Sequence, residues 1–316
     1  MRPLVALLLA LFLGACSTVP GGSPAAGRRI ALTFDDVPRQ RGAFLTSDQR
    51  TQRLIAGLAR GRVRQAAFFV TPGRLATPDG KGGERRIAAY VKAGHVIANH
   101  SFSHRALTAV TAEEYVADID RAEAWLKGRE GVRPWFRFPF LNEGRADKAK
   151  RDAVRAALAG RGLRNGYVTA DGADWNMEAL TIAAAREGKA MNMAALRELY
   201  VETMVGAADY ADALARRTLG RSPAHVLLLH ETDLAALLIE DLVQALRGAG
   251  WTIVTADEAY RDPIGQLMPD VPSVQGTLTE ALAWEKGLPA PRWYDRVSPK
   301  VADPLFRERV LGEQAR

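Results

Sequence analysis

Residues 29–36 read Arg-Ile-Ala-Leu-Thr-Phe-Asp-Asp. A short apolar run that stops on two carboxylates is the pattern of a buried strand with polar groups at its C-terminal end. The same unit recurs down the chain. Strand-length apolar runs stand at Gln65–Val70, His95–Ala98, Trp135–Phe138, Leu163–Val168, Ala224–Leu229 and Trp251–Val254. Helical spacing fills the intervals: Leu54 and Leu58 through about Arg60, Glu84–Lys92, Ala112–Leu126 behind the N-cap Thr111, Asp147–Leu158, and Leu234–Leu246. A long helical region without strands is expected over about Met177–Arg217. Strands that alternate with helices this regularly predict parallel βαβ units. The expected class is α/β, an incomplete or distorted (β/α)7 barrel. Pattern alone does not separate it from a doubly wound open sheet.

The two ends differ in kind. Beyond Arg261 the chain holds Pro263, Pro269, Pro272, Pro289, Pro291, Pro299 and Pro304. This tail is expected to wrap the barrel as loops and short helices. Its best helix is Leu278–Trp284, with Thr277 as N-cap and Glu280 completing a capping box. At the other end Met1-Arg2 precede an apolar stretch, Pro3–Gly14, and then Ala15-Cys16. One positive charge, an apolar run and small residues before a cut site describe a secretory signal peptide, too short to span a bilayer comfortably. Leu13-Gly14-Ala15-Cys16 resembles the lipobox of bacterial lipoproteins, in which the cysteine becomes the lipidated first residue. Cys16 is the single cysteine, which suits an exported protein that makes no disulfide. The expected organisation is a signal peptide over 1–16, a flexible tether over 17–27, a catalytic domain over 28–260 with a helical insertion at about 177–217, and a Pro-rich extension over 261–316. The expected location is the periplasmic face of the bacterial envelope, with Ser17 after Cys16 favouring the outer membrane.

Composition narrows the partners. The 316 residues are 47% hydrophobic and 25% charged, ordinary for a globular chain, with a net charge of +7. That charge suits acidic envelope polymers or anionic lipid. Nucleic acid is disfavoured, because Arg53, Arg60, Arg62, Arg64, Arg85 and Arg86 are scattered along helical stretches rather than gathered with aromatics.

The polar residues worth naming fall at the C-terminal ends of the expected strands. They are Asp35-Asp36, Asn99-His100-Ser101-Phe102-Ser103-His104, Arg137-Phe138-Pro139-Phe140, Asp171-Gly172-Ala173-Asp174-Trp175, and His230. In (β/α) barrels that end holds the active site, because the βα loops converge there. Each cluster alone has a plainer reading: an Asp-Asp pair caps a helix, and His230 could be a hydrogen-bonded core histidine. His95 and His225 begin their strands, away from that end, and are read as structural. Two imidazoles at His-x-x-x-His spacing plus one carboxylate can hold a divalent ion with positions left open for water and substrate. A second carboxylate can then act as base and a further histidine as acid.

Thr33-Phe34-Asp35-Asp36, His100–His104, Arg137–Phe140, Asp171–Trp175 and Leu228-Leu229-His230 together resemble the five ordered motifs of the NodB-homology polysaccharide deacetylases, carbohydrate esterase family 4, over roughly Arg28 to Tyr260. The resemblance implies Asp35 as general base and Asp36, His100 and His104 as ligands of one metal ion. Zinc is the default, and cobalt, iron or manganese (Co2+, Fe2+, Mn2+) are compatible with such a site. Arg137 would pair with Asp35, the Phe140 N–H would help stabilise the oxyanion, and Asp174 would orient His230 as general acid. Trp175 and Leu228 would receive the acetyl methyl. The implied activity is hydrolytic deacetylation of N-acetylated amino sugars in an envelope or extracellular polysaccharide. The alternatives are an O-acetyl, xylan-type esterase or a small cyclic-amide hydrolase of the same fold. Metal-free hydrolysis sits poorly with the presence of both His100 and His104, and a non-catalytic binding module sits poorly with a complete set of base, ligands and acid. The sequence departs from the family in Val37, where glycine is usual, and in Phe140, where tyrosine is common. It does not speak to oligomeric state.

Overall fold

The computed structural model describes residues 27–313. The stretch read as a signal peptide, Cys16, and the tether up to its last residue lie outside the described residues. The chain begins with β1 (Arg29–Val37), α1 (Ser47–Arg60), β2 (Ala67–Val70), α2 (Gly83–Lys92), β3 (Val96–Asn99), α3 (Ala112–Leu126) and β4 (Val132–Phe136). It continues with β5 (Asn142–Arg145), α4 (Lys148–Gly160), β6 (Arg164–Asn165), β7 (Ala170–Asp171), α5 (Asp174–Arg186), α6 (Met193–Leu219), β8 (Ala224–His230) and α7 (Asp233–Gly248). The remainder is β9 (Thr252–Ile253), α8 (Ala256–Ala259), β10 (Val274–Gln275), α9 (Leu278–Glu285) and α10 (Pro299–Leu311).

The main sheet runs β6-β4-β3-β2-β1-β8-β7, with β9 beside the start of β1, and every pairing in it is parallel. Its two edges belong to one stretch of chain. Arg164 and Asn165 pair with Trp135 and Phe136 of β4, and then Ala170 and Asp171 pair with Leu227 and Leu228 of β8. The sheet therefore curls until both edges meet in residues 164–171, which makes it a distorted (β/α) barrel rather than an open, doubly wound sheet.

Period-two alternation sorts the strand side chains into two cores. On β1, Ile30, Leu32 and Phe34 face outward and pack with Leu54 and Leu58 of α1 and Ile239 and Leu242 of α7. Ala31 faces the barrel interior, with Ala67 and Phe69 of β2, Ala98 of β3, Trp135 of β4, and Val226 and Leu228 of β8. The helices start where the sequence has caps. Thr46 and Gln49, Thr111 and Glu114, and Thr277 and Glu280 each form a capping box.

Four expectations are corrected in detail. Asp35 and Asp36 lie inside β1, which runs on to Val37, rather than after it. Of the expected strand Leu163–Val168 only Arg164–Asn165 is strand, and a second short piece follows at Ala170–Asp171, because the chain changes partner between them. The helical region at 177–217 is two helices, α5 and α6, parted where Gly188 takes a positive φ and Asn192 caps α6 through Ala195 N. The tail holds a full helix, α10, which packs on α5 and α6 through Phe306 and Val310 despite the internal Pro304.

Candidate active site

The inward faces of β1, β3, β4 and β8, followed to or just past their C-terminal ends, arrive at side chains singled out in the sequence. Ala31, Thr33 and Asp35 share one face of β1, and Val226, Leu228 and His230 share one face of β8. Parallel pairing places Asp35 opposite His230 in register. His100 continues the inward face of Ala98, and Arg137 that of Trp135. Asp36 would face outward in regular alternation. It sits at φ 70°, where the pairing of β1 with β2 shifts register between Phe34 and Val37. This bulge re-aims Asp36 into the barrel mouth beside Asp35.

Asp36, His100 and His104 offer one ligand atom each, all within 4.8 Å of one another. Asp36 Oδ1 is buried and lies 2.8 Å from His104 Nε2 and 3.8 Å from His100 Nε2, yet accepts no well-angled hydrogen bond. Its carboxyl is held well below the usual range: burial opposes ionisation, but His104, Arg39 and Arg74 outweigh it. Arg74 reaches Oδ1 at 3.1 Å, and Arg39 contacts Oδ2. His100 Nδ1 is 2.9 Å from the Arg137 carbonyl, so Nδ1 carries the proton and Nε2 is free to ligate. Burial holds the His100 pKa down to about 4, keeping the ring neutral. An orphaned carboxylate oxygen converging with imidazole nitrogens fits a divalent first-row metal ion.

The His100–His104 loop owes its shape to two residues in the left-handed region, Ser101 (φ 61°) and His104 (φ 56°). It is held by Asp118 of α3, whose carboxylate accepts from Phe102 N at 3.0 Å, Ser103 N at 2.9 Å and Ser103 Oγ at 2.8 Å. Ser101 Oγ accepts from His104 N at 3.0 Å.

Arg137 and Asp35 form a buried ion pair, 1% and 2% exposed, with Nη1 to Oδ1 at 2.5 Å. The same guanidinium donates to Thr33 Oγ1, Gly166 O, Tyr167 O and the Tyr260 hydroxyl, and lies 3.8 Å over the Phe69 ring. The second oxygen of Asp35 lies 3.6 Å from His100 Nε2. Across the mouth, fully buried Asp174 lies 2.7 Å from His230 Nδ1 and accepts from His230 N at 2.8 Å. Burial pushes the imidazole pKa down, but the Asp174 charge and hydrogen bond outweigh it, and the net shift is upward.

These groups line one cleft of about 430 Å³, with Asp35, Asp36, His100, His104 and His230 at its polar end. Phe140, at φ 59° and 59% exposed, stands edge-on to His104 at 4.6 Å. Trp175 and Leu228 line the same cleft. Of the residues singled out in the sequence for the site, Asp35, Asp36, His100, His104, Phe140, Trp175, Leu228 and His230 line this cleft, Arg137 and Asp174 are buried behind Asp35 and His230, and Cys16 falls outside the described residues. Sequence reasoning missed Arg39 and Arg74, whose cationic side chains were two among many arginines, and Gln275 and Gly276, contributed by the tail. It also missed Tyr260, whose hydroxyl accepts from Arg137 and donates to Tyr167 O. His95 and His225 sit apart. His95 accepts from Ala66 N, and His225 lies between Thr169 and Asp212.

Comparison with protein families matches residues 22–159 to the polysaccharide deacetylases. No curated protein matches by sequence. Among solved structures, the chitin deacetylase of the fungal pathogen Colletotrichum lindemuthianum is 19% identical with a TM-score of 0.51, covering 76% of this chain and 92% of that one. A polysaccharide deacetylase of Bacillus cereus is 17% identical with a TM-score of 0.51, covering 72% and 91%. A family 4 carbohydrate esterase from Streptomyces lividans is 22% identical with a TM-score of 0.48, covering 75% and 97%. At these identities the likeness is one of fold.

Proposed function

We propose, from the match of residues 22–159 to the polysaccharide deacetylases, that this chain is a hydrolase that removes the N-acetyl group from amino sugars of an envelope or extracellular polysaccharide. One observation carries the reading: the ligand atoms of Asp36, His100 and His104 converge in the cleft that also receives the Asp35–Arg137 and Asp174–His230 pairs. A divalent ion held by those three residues, zinc by default, would polarise the acetyl carbonyl and acidify a water.

The rest falls to the chain's own groups. Asp35, oriented by Arg137, would accept the proton of the attacking water. His230 commits Nδ1 to Asp174 and keeps Nε2 for the departing nitrogen, to which it would pass a proton as the C–N bond breaks. Its raised pKa favours the protonated form that this step needs. The Phe140 N–H would donate to the carbonyl oxygen as that oxygen gains charge. Trp175 and Leu228 would enclose the methyl. The products are acetate and the free amino sugar. Export and lipidation at Cys16, proposed from the sequence alone, would hold the enzyme beside envelope glycans.

Acetate release from N-acetylglucosamine oligomers, peptidoglycan, acetylated xylan and 4-nitrophenyl acetate, with zinc and with a chelator, tests this. Chelator-sensitive release from the amino sugars is expected. Release confined to xylan or the aryl acetate would move the assignment to an esterase.

A further inference from the structure

Residues 269–277 cross the barrel mouth as a strap pinned at both ends. At the first end Arg151 of α4, itself 1% exposed, pairs with Asp270 and donates to the Val271 carbonyl at 3.0 Å, and Arg155 donates to the Pro269 carbonyl at 3.1 Å. At the other end Leu278 N bonds Val168 O at 2.9 Å, and Thr279 Oγ1 bonds Thr169 O at 3.3 Å, tying the start of α9 to the barrel. Between the pins β10 pairs antiparallel with β5, and Gly276 N bonds Leu141 O at 3.2 Å. The strap is thereby fastened to the loop that carries Phe140.

Alternation along β10 decides what the strap presents. Val274 turns inward to a small core with Val271 and Ala281. Gln275 turns the opposite way and stays exposed, lining the cleft beside Phe140 and Leu141. Gly276 follows at φ 93°, where a Cβ would meet Glu280 Oε2 at 2.3 Å, so the turn that aims Gln275 needs glycine. Among the described residues, nothing bonds to the Gln275 side-chain amide. An amide with two donors and an acceptor, held at the rim of a catalytic cleft next to an exposed aromatic ring, suits the hydroxyls and acetamido groups of a sugar. The rim lies beyond the buried catalytic pairs, so such a contact falls on what protrudes from the reacting acetyl group.

Resting on the deacetylase reading, we infer that Gln275 is a specificity-determining residue that hydrogen-bonds the sugar unit next to the one being deacetylated. The strap thereby selects glycan chains over isolated acetyl compounds. The test uses the mature protein with Gln275→Ala and Gln275→Met, the second keeping bulk without hydrogen bonding. Each is assayed on N-acetylglucosamine tetramer or peptidoglycan fragments, whichever the wild type cleaves faster, and on 4-nitrophenyl acetate, which has no sugar to reach the strap. Both variants should lose about five- to tenfold in kcat/KM on the glycan, as one hydrogen bond allows, mostly through KM. Turnover of the aryl acetate should stay within about twofold of wild type on the same scale. Equal losses on both substrates, no loss on the glycan, or full activity in Gln275→Met overturns the assignment. A wild type that frees acetate from no glycan overturns the deacetylase reading itself, before any variant is compared.

Discussion

Replacing Arg137 with methionine removes the cation paired with Asp35 and leaves its carboxylate in a site only 2% exposed. His100 Nε2 lies 3.6 Å from its other oxygen, on a ring that burial keeps neutral. Breaking a buried ion pair from one side costs about 3–5 kcal/mol. The carbonyls of Gly166 and Tyr167 lose donors as well, so this range is a floor. For a chain of this size each kcal/mol lowers Tm by about 2–4 °C, which sets the expected fall at roughly 6–20 °C. Thermal melts by circular dichroism would measure it, on wild type, Arg137→Met, Asp35→Asn and the double variant. Because the double variant carries neither charge, it should be more stable than the sum of the single losses by about 2 kcal/mol. A Tm within about 2 °C of wild type for Arg137→Met, or strict additivity in the cycle, would refute the claim that a desolvated charge pair holds this corner of the barrel.

Further outcomes follow from the same geometry. His104→Ala should abolish stoichiometric zinc by elemental analysis while leaving the melt nearly unchanged, since the side chain is 15% exposed; Asp35→Asn should keep zinc and lose at least about a hundredfold in kcat. With the His230 pKa raised by Asp174, a rate that needs the imidazolium persists at lower pH and is lost as pH rises through that pKa. Asp174→Asn should move this alkaline limb of kcat to lower pH, and an unmoved limb would remove His230 from the acid role. Gly42→Ala should destabilise by about 1–3 kcal/mol in urea melts. Its Cβ would fall 2.4 Å from Asp233 Oδ2, which accepts from Phe44 N and Leu45 N, and 2.5 Å from Glu178 Oε1, which accepts from Asp233 N. A neutral effect would mean that segment is looser than its hydrogen bonds imply.

What the sequence made legible is what alternation and capping encode. That polar groups, the histidines among them, stand at the C-terminal ends of the strands could be read without coordinates, but not that Ala31, Thr33 and Asp35 share the inward face, because β1 is buried on both sides. Thr111 and Thr277 were readable as caps because the partner glutamate stands three residues on. Asp36 was legible as a residue but not as a direction, because its inward aim depends on a bulge at φ 70°. Residues 163–168 read as one strand with Asp171 beyond it, since local pattern cannot say that the chain leaves β4 after Asn165 and joins β8 at Ala170. The prolines concealed α10, whose Pro304 is tolerated because Phe306 and Val310 bury against α5 and α6. Gln275 was out of reach for a related reason: a two-residue strand whose Gln275 pairs with Asn142, 133 positions away, carries no periodic signal.

The shared edge at residues 164–171 has a bearing on how substrate gets in. A barrel closed by a continuous ladder can open only by losing many bonds together, whereas one closed by a segment that hands over from β4 to β8 has a seam at the handover. Gly166 O and Tyr167 O at that seam are the carbonyls to which Arg137 donates. The arginine is thus a rivet through the seam, and Asp35, the proposed base, hangs from the same rivet. Any parting of the wall there would dislodge the base at the moment it admitted solvent. On the proposed function, substrate would enter by the mouth, under the strap, and amide exchange along 166–169 would report on the placement of Asp35 as much as on folding.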